Sequence, residues 1–188
     1  LDPGAAQTEI RRAMSEWSKV VKVTWNPGAD AVGLQTVNIL FASGAHGDGY
    51  PFDGRGNVLA HTFYPAPPNP EPIAGDMHFD DAESWRIGAN TDLFSVALHE
   101  LGHALGLGHS DDPSAVMYPY YRMVSTLAAP DKSAVLTLYA AQDETANPPS
   151  SLPLTLTVNT PPAATTASAV SLTGSVAGGS GTISVIWS

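Results

Sequence analysis

Cysteine is absent from this 188-residue sequence, which excludes disulfides, thiolate metal sites and thiol nucleophiles. Any bound metal must therefore be held by imidazole and carboxylate groups. Cationic side chains are also few, because 8 Lys and Arg stand against 18 Asp and Glu, giving a formal charge of -10. This balance argues against a nucleic-acid partner. No apolar run reaches the roughly 18 residues that a membrane-spanning helix requires, so we expect no membrane span.

Glycine and proline are plentiful instead, with 17 and 16 residues, and they indicate a loop-rich body. Hydrophobic residues make up 43% of the chain, which is enough for a packed core. The length fits one full domain and a remainder. Because the sequence begins with Leu1, we expect that a preceding segment has been removed or omitted.

Local patterns predict a mixed α and β domain over residues 1–144. Apolar residues at three- and four-residue steps predict helices, and runs of β-branched and aromatic residues between turn signals predict strands. The second helix is expected to be capped by Asn90 or Thr91. The predicted elements are a helix over Thr8–Val23, strands at Val23–Trp25, Thr36–Phe41 and Val58–Phe63, a helix from Leu93 to Leu105, and a helix at about Lys132–Tyr139.

The composition changes over residues 145–151, where Asn147–Ser151 has the proline and serine content of a linker. Beyond it, apolar and polar residues alternate in Leu152–Val158, Val170–Val176 and Ile183–Trp187, which predicts three strands. The tail resembles the opening of a bacterial immunoglobulin-like repeat. Such a β-sandwich needs about 100 residues, so residues 152–188 are predicted to be its N-terminal part, cut before its end.

The pattern that carries chemistry is HELGHALGLGH, from His99 to His109. On a helix, His99 and His103 lie one turn apart on the same face, so both imidazoles can reach one metal ion. Gly106 lets the chain leave the helix and bring in His109 as a third ligand. Three protein ligands leave a fourth tetrahedral position open, as a catalytic zinc requires. Glu100 can then take a proton from the attacking water.

This segment resembles the zinc motif of the matrixins, the matrix-metalloproteinase type of metzincin endopeptidase. Ser110 follows the third histidine, as in that family, and Val116–Pro119 resembles the family's Met-turn, with Met117 beneath the metal. The resemblance covers about Ala5–Ala140. It implies an α+β metzincin fold with a twisted mixed sheet and three helices, and a zinc-dependent endopeptidase in which Glu100 is the base.

The other three histidines fit the same family. The segments His46–Asp48, Val58–His61 and Gly75–Asp80 resemble the matrixin structural zinc site. The ligands that the resemblance implies are His46, Asp48, His61 and His78. All six histidines are then used, three for each of two Zn²⁺ ions.

A glycine-containing segment at residues 52–58 and an acidic segment at residues 80–83 resemble the family's calcium loop. Carboxylate and carbonyl oxygens suit that ion. The implied ligands are the side chains of Asp53, Asp80 and Glu83 and the carbonyls of Gly54, Gly56 and Val58. Asp76 matches one ligand of a further calcium site, although Pro72 and Ala74 stand where that site has glycines. At least one Ca²⁺ is expected.

The resemblance also implies where a protein or peptide substrate binds. An extended peptide would add as an antiparallel strand along Leu59 and Ala60. Pro119 and Tyr121 would form the wall of the pocket for the residue after the cut. The family further implies a monomeric catalytic domain acting on extracellular proteins, and calcium loops of millimolar-range affinity favour secretion.

The chain also departs from the family. It shows no cysteine-containing inhibitory prosegment, the family's first strand would lie before Leu1, and Pro67–Pro72 lengthens the segment between two proposed zinc ligands. Two alternative functions keep the same ligands. A catalytically inactive matrixin-fold adhesion or binding module would not need a base at Glu100, and a zinc amidase or other non-peptide hydrolase would not account for the second histidine set.

Overall fold

The computed structural model describes residues 1–28, 35–142, 170–176 and 181–187. These residues form a mixed sheet and three helices, as the α+β prediction requires. In chain order the elements are α1 (Pro3–Ser18), β1 (Val23–Pro27), β2 (Thr36–Ala42), β3 (Ala60–Thr62), β4 (Met77–Asp80), α2 (Leu93–Ala104), α3 (Ala129–Val135), β5 (Val170–Val176) and β6 (Gly181–Trp187). Within the described part of the chain, no helix has the length and apolarity needed to span a bilayer.

The strand order in the sheet is β1-β5-β6-β2-β4-β3. β2 and β4 are parallel, whereas β3 runs antiparallel to β4 and ends the sheet. Within the described ranges, nothing pairs with the outer edge of β3. The sheet therefore presents an open edge at the segment that the sequence predicts to bind substrate.

Two of the three strands predicted in the C-terminal tail are present as β5 and β6. They pair antiparallel with each other, and they also pair with β1 and β2 of the N-terminal part. The third predicted strand, Leu152–Val158, and the predicted linker at 145–151 lie outside the described residues. The assignment of the tail to an immunoglobulin-like module stays a prediction.

Helix α1 begins five residues earlier than the apolar period predicts and ends at Ser18 rather than Val23. Asp2 caps it, because its Oδ1 accepts the Ala5 N–H at 3.0 Å, and Pro3 opens the first turn. The buried face of α1 packs on α2. Trp17 is fully buried and donates its indole N–H to the Leu98 carbonyl of α2 at 3.0 Å. This bond fixes the helix that carries the histidine motif.

Helix α2 is capped by Asp92 rather than by the predicted Asn90 or Thr91. The Asp92 carboxylate accepts the Ser95 N–H at 2.9 Å, which satisfies an otherwise unpaired amide of the first turn. Nearly every residue of α2 is buried, so the helix is held on all sides. The third helix also starts early, at Ala129 instead of Lys132, because Pro130 favours the first turn of a helix.

Candidate metal centre and active-site cleft

The three histidines of the motif converge as their spacing predicts. Helix α2 places the rings of His99 and His103 with centroids 4.7 Å apart. Gly106 then adopts a φ of 96°, which an L side chain rarely tolerates, and turns the chain back. The Nε2 atoms of His103 and His109 consequently lie 3.2 Å apart. One nitrogen from each of the three rings lies within 4.8 Å of the other two.

The backbone assigns the hydrogens of two of these rings. His99 Nδ1 and His103 Nδ1 each lie 2.8 Å from a carbonyl oxygen, of Val116 and Leu107 respectively. Because a carbonyl oxygen only accepts, Nδ1 carries the hydrogen and Nε2 keeps its lone pair. Burial lowers the pKa of both His99 and His103, which favours the neutral imidazole that binds metal. The donor set therefore fits zinc.

Glu100, the proposed base, lies on α2 between the first two histidines and lines the same cleft. Its side chain is buried, and burial raises the pKa of its carboxyl group. The neighbouring His103 and a hydrogen bond from the Thr62 hydroxyl oppose that rise. The carboxyl group is thus placed beside the metal ligands in a poorly hydrated setting.

The second predicted histidine set also comes together. His61 and His78 are direct cross-strand partners on β3 and β4, and the loop after β2 adds His46 and Asp48. Three imidazole nitrogens reach a single oxygen, Asp48 Oδ2, at 2.8 Å from His46 Nε2, 2.7 Å from His61 Nε2 and 2.7 Å from His78 Nδ1. One ligand atom from each of these four residues lies within 4.8 Å of the others.

The chemistry of this cluster fits a cation at its centre. His46 Nδ1 donates to the Gly44 carbonyl at 2.8 Å, so in the neutral ring Nε2 presents a lone pair to the Asp48 carboxylate. Two acceptors facing each other are unfavourable unless a positive charge lies between them. Burial lowers the pKa of His78. Burial alone would raise the pKa of Asp48, but hydrogen bonds from the Tyr50 N–H, His61 and His78 hold it well below its usual range. Three imidazoles and one carboxylate make a four-ligand set that suits zinc.

The predicted calcium ligands are only partly drawn together. Asp53, Gly54, Gly56 and Val58 lie in the loop between β2 and β3, and the Gly56 N–H donates to Glu83 Oε1. Asp80 is fully buried, and its Oδ2 has no hydrogen-bond partner in the described part of the chain. The three predicted carboxylates do not form a third cluster of ligand atoms among the described residues. An unpaired buried carboxylate oxygen nevertheless suits a cation there.

Asp76, the predicted ligand of a further calcium, is bound by an internal amide instead. Its Oδ1 accepts the Asn38 N–H at 2.7 Å, and both carboxylate oxygens lie 2.9 Å from Asn38 Nδ2. Burial raises the pKa of Asp76 to about 7, against the opposing effect of these hydrogen bonds. The calcium role of Asp76 stays a prediction, and nothing in its surroundings requires a metal.

A cleft of about 450 Å³ joins the first histidine cluster to the open edge of β3. All four residues predicted to bind substrate line it: Leu59, Ala60, Pro119 and Tyr121. The Leu59 carbonyl already accepts the Asp80 N–H at 2.9 Å, and the Phe63 N–H donates to Asp76 at 3.0 Å. The N–H and C=O groups of successive residues point to alternate edges of a strand. Those of Ala60 and Thr62 therefore face the open edge. Of the two residues predicted to pair with substrate, Ala60 thus has its main-chain groups at the open edge, whereas the Leu59 carbonyl is paired with β4.

Comparison with known proteins identifies the family. The family model described as Matrixin matches residues 1–140. The chain belongs to the matrixin family. It is 41% identical to matrix metalloproteinase-16 of Homo sapiens over an alignment 157 residues long, which covers 77% of this chain and 25% of that protein. It is also 44% identical to macrophage metalloelastase of Rattus norvegicus over an alignment 137 residues long, which covers 70% of this chain and 28% of that protein. The chain thus spans about a quarter of the length of these curated relatives.

Met117 packs in this matrixin against the helix that carries the ligands. An added Cβ on Gly102 would lie 2.2 Å from Met117 Sδ and 3.1 Å from Trp17 Cζ2. Glycine is therefore required at that position of the motif because Met117 and Trp17 fill the space. The Met117 carbonyl also accepts the Ser110 N–H at 2.9 Å, which closes the turn next to the third histidine.

Asp131 is a site residue of this matrixin that sequence reasoning did not identify. It is 1% exposed and accepts three backbone N–H bonds, from Val116 at 2.8 Å, Met117 at 3.1 Å and Ala128 at 2.9 Å. The Val116 carbonyl in turn accepts the His99 Nδ1–H. Asp131 thus fixes the peptide that orients His99, the first predicted zinc ligand. Its place after Pro130 suggested only the start of a helix.

The wall of the matrixin cleft is tied to the start of α2. The Tyr121 hydroxyl accepts the Asp92 N–H at 2.9 Å and donates to the Asn90 carbonyl. Ser95 Oγ accepts the Val124 N–H at 2.9 Å and donates to Asp92 Oδ2 at 2.6 Å. These links hold the wall segment in place, and the sequence carried no local signal for them.

Proposed function

We propose that this chain is the catalytic part of a zinc-dependent endopeptidase. One observation carries the proposal. Three imidazoles, of which His103 is buried, His99 half-buried and His109 exposed, bring their nitrogens together at an open cleft, and the buried carboxyl group of Glu100 lines the same cleft. Membership of the matrixin family supports the same chemistry.

His99, His103 and His109 would hold the zinc through Nε2. A zinc ion in such a site polarises the scissile carbonyl and lowers the pKa of water. Glu100 accepts the proton of the attacking water and passes it to the leaving amine as the C–N bond breaks. Its place on α2 between the first two histidines sets this carboxyl group beside the proposed metal ligands. No covalent intermediate with the protein is needed.

The open edge of β3 supports a protein or peptide as the substrate. An extended peptide can pair with the outward main-chain groups around Ala60, while Pro119 and Tyr121 line the pocket for the residue after the cut. A protein or peptide substrate therefore fits the cleft. We propose that the enzyme acts outside the cell, as the relationship to matrix metalloproteinases favours.

The remaining ion sites have structural roles in this proposal. A second zinc held by His46, Asp48, His61 and His78 would fasten the loop after β2 to β3 and β4, and it would thereby fix the strand that binds substrate. A calcium ion would be held by Asp53, Gly54, Gly56, Val58, Asp80 and Glu83, and the unpaired Asp80 Oδ2 supports it. Residues 1–144 would form the catalytic unit, with 145–151 as a linker and 152–188 as the immunoglobulin-like segment, whose strands β5 and β6 pair with β1 and β2 of that unit.

The test is hydrolysis of an unfolded protein and a peptide library by the zinc-loaded chain, with a zinc-selective chelator added at constant calcium. We expect cleavage that the chelator abolishes and added zinc restores. Cleavage that is insensitive to the chelator would contradict zinc dependence. A folded, zinc-replete chain that cleaves none of the substrates would instead favour the binding-module alternative.

A further inference from the structure

Strand β3 connects the second histidine cluster to the proposed base. Successive side chains of a strand point to opposite faces. His61 therefore joins the cluster with Asp48, while the next residue, Thr62, turns toward helix α2. The Thr62 hydroxyl donates to Glu100 Oε2 at 2.6 Å, a bond between residues 38 positions apart in the sequence.

The donor of this bond is fixed in space. Thr62 is paired with Met77 of β4, and its β-branched side chain has a restricted χ1. The carboxyl group, by contrast, ends in a torsion with a broad energy minimum. In the described part of the chain, the Thr62 hydroxyl donates a hydrogen bond to this carboxyl group, and the bond is to Oε2 alone.

We propose that Thr62 is a positioning residue for peptide hydrolysis. Its hydroxyl holds the Glu100 carboxylate in one orientation, with Oε2 turned to β3, so that Oε1 remains available to the proton of the attacking water. This inference rests on the proposed function, because it assigns the geometry of the proposed base. Thr62 does not contact the reacting atoms in this role.

The role predicts a loss in turnover rather than in substrate binding. Without the hydroxyl, the carboxylate samples orientations in which neither oxygen faces the attacking water. The main chain of β3, which would pair with the substrate, is unchanged by a side-chain substitution. We expect roughly a 10-fold lower kcat, which is smaller than the roughly 10²–10⁴-fold contribution of a general base itself.

Two substitutions separate the hydroxyl from the shape of the side chain. Thr62→Val keeps the branched shape and removes the donor, whereas Thr62→Ser keeps the donor. In the zinc-loaded full chain, we expect Thr62→Val to lower kcat about 10-fold with KM within about twofold, and Thr62→Ser to stay near wild type. Thr137→Val, at an exposed threonine on the segment after α3, is the control and should change neither value.

A second readout does not depend on turnover. In the full chain loaded with zinc and calcium, Thr62→Val, Glu100→Ala and the double variant form a thermodynamic cycle of unfolding midpoints. If the hydroxyl bonds the carboxylate, the double variant is destabilised by less than the sum of the single variants. Additive effects would overturn the contact on which the inference depends.

The outcomes distinguish this inference from the proposed function. If the wild type is active and Thr62→Val has the same kcat as the wild type, the role of Thr62 is overturned and the endopeptidase assignment stays intact. Equal losses in Thr62→Val and Thr62→Ser with a raised KM also overturn it, because they would show an effect on the substrate edge. A zinc-loaded wild type that cleaves nothing overturns the proposed function and the positioning role with it.

Discussion

Asp131→Asn is the substitution whose effect the structure allows us to work out in most detail. Asp131 Oδ2 accepts two N–H bonds, from Val116 and Ala128, and Oδ1 accepts one from Met117. Asparagine has the same shape but only one acceptor oxygen. With that oxygen on the pair of amides, its NH₂ group would face the Met117 N–H, and two donors would meet in a buried site.

The expected loss in the free energy of unfolding follows from the hydrogen bonds that change. A hydrogen bond to a charged group contributes about 1.5–3 kcal/mol, and a bond between neutral groups about 0.5–1.5 kcal/mol. One charged bond is lost and two become neutral, which gives roughly 3.5–6 kcal/mol. The lower desolvation cost of neutral asparagine offsets part of this loss, so we expect about 3 kcal/mol. For a chain of this size, 1 kcal/mol shifts Tm by about 2–4 °C, and the predicted decrease is about 6–12 °C.

The assay is thermal unfolding of the zinc-loaded chain, with Asp111→Asn as the control. Asp111 is exposed, and its substitution makes the same change in net charge. A competitive zinc titration is the second measurement, because Asp131 also fixes the Val116 peptide that orients His99. We expect roughly 10-fold weaker zinc binding, at the lower end of the effects seen for residues that support metal ligands. A Tm within about 1 °C of the Asp111→Asn value would contradict a stabilising role for the three hydrogen bonds of Asp131.

Three further predictions concern packing, calcium and specificity. Gly102→Ala should lower the free energy of unfolding by about 1–3 kcal/mol, because its Cβ would overlap Met117 and Trp17; denaturant unfolding checks this, and Gly108→Ala, with no atom within 4 Å of its added Cβ, is the control. Calcium removal at constant zinc should lower Tm and expose residues 42–59 to proteolysis, because Asp80 Oδ2 would lose its partner, and an unchanged melting curve would contradict the calcium site. A peptide library should show apolar or aromatic residues after the cleaved bond, whereas dominance by acidic or basic residues there would contradict the pocket assignment.

Much of the metal centre could be predicted because its information is local. The three-residue gap between His99 and His103 becomes proximity on any regular helix, and Gly106 predicts the turn that brings in His109. The second cluster lacks such local spacing and was predicted from the family resemblance. Its convergence depends on the pairing of His61 with His78 across β3 and β4.

The supporting contacts could not be predicted because they join distant residues. Thr62 meets Glu100 across 38 positions, and Asp131 reaches Val116 across 15. Neither pairing follows from periodicity, since each depends on how a strand or helix packs against α2 and the turn after it. Helix ends were missed for a simpler reason: Asp2 and Pro3 extend α1 beyond its apolar pattern by capping alone.

In the proposed mechanism, three histidines hold zinc while Glu100 acts as the base. The most direct measurement compares zinc content and peptide turnover in Glu100→Ala and His103→Ala. The first variant removes no nitrogen ligand, so it should stay folded and zinc-replete while turnover falls by at least about 10²-fold. The second should lose both zinc and turnover, because two imidazoles hold the ion poorly. A fully active Glu100→Ala, or a Glu100→Ala that loses its zinc along with its activity, would contradict this mechanism.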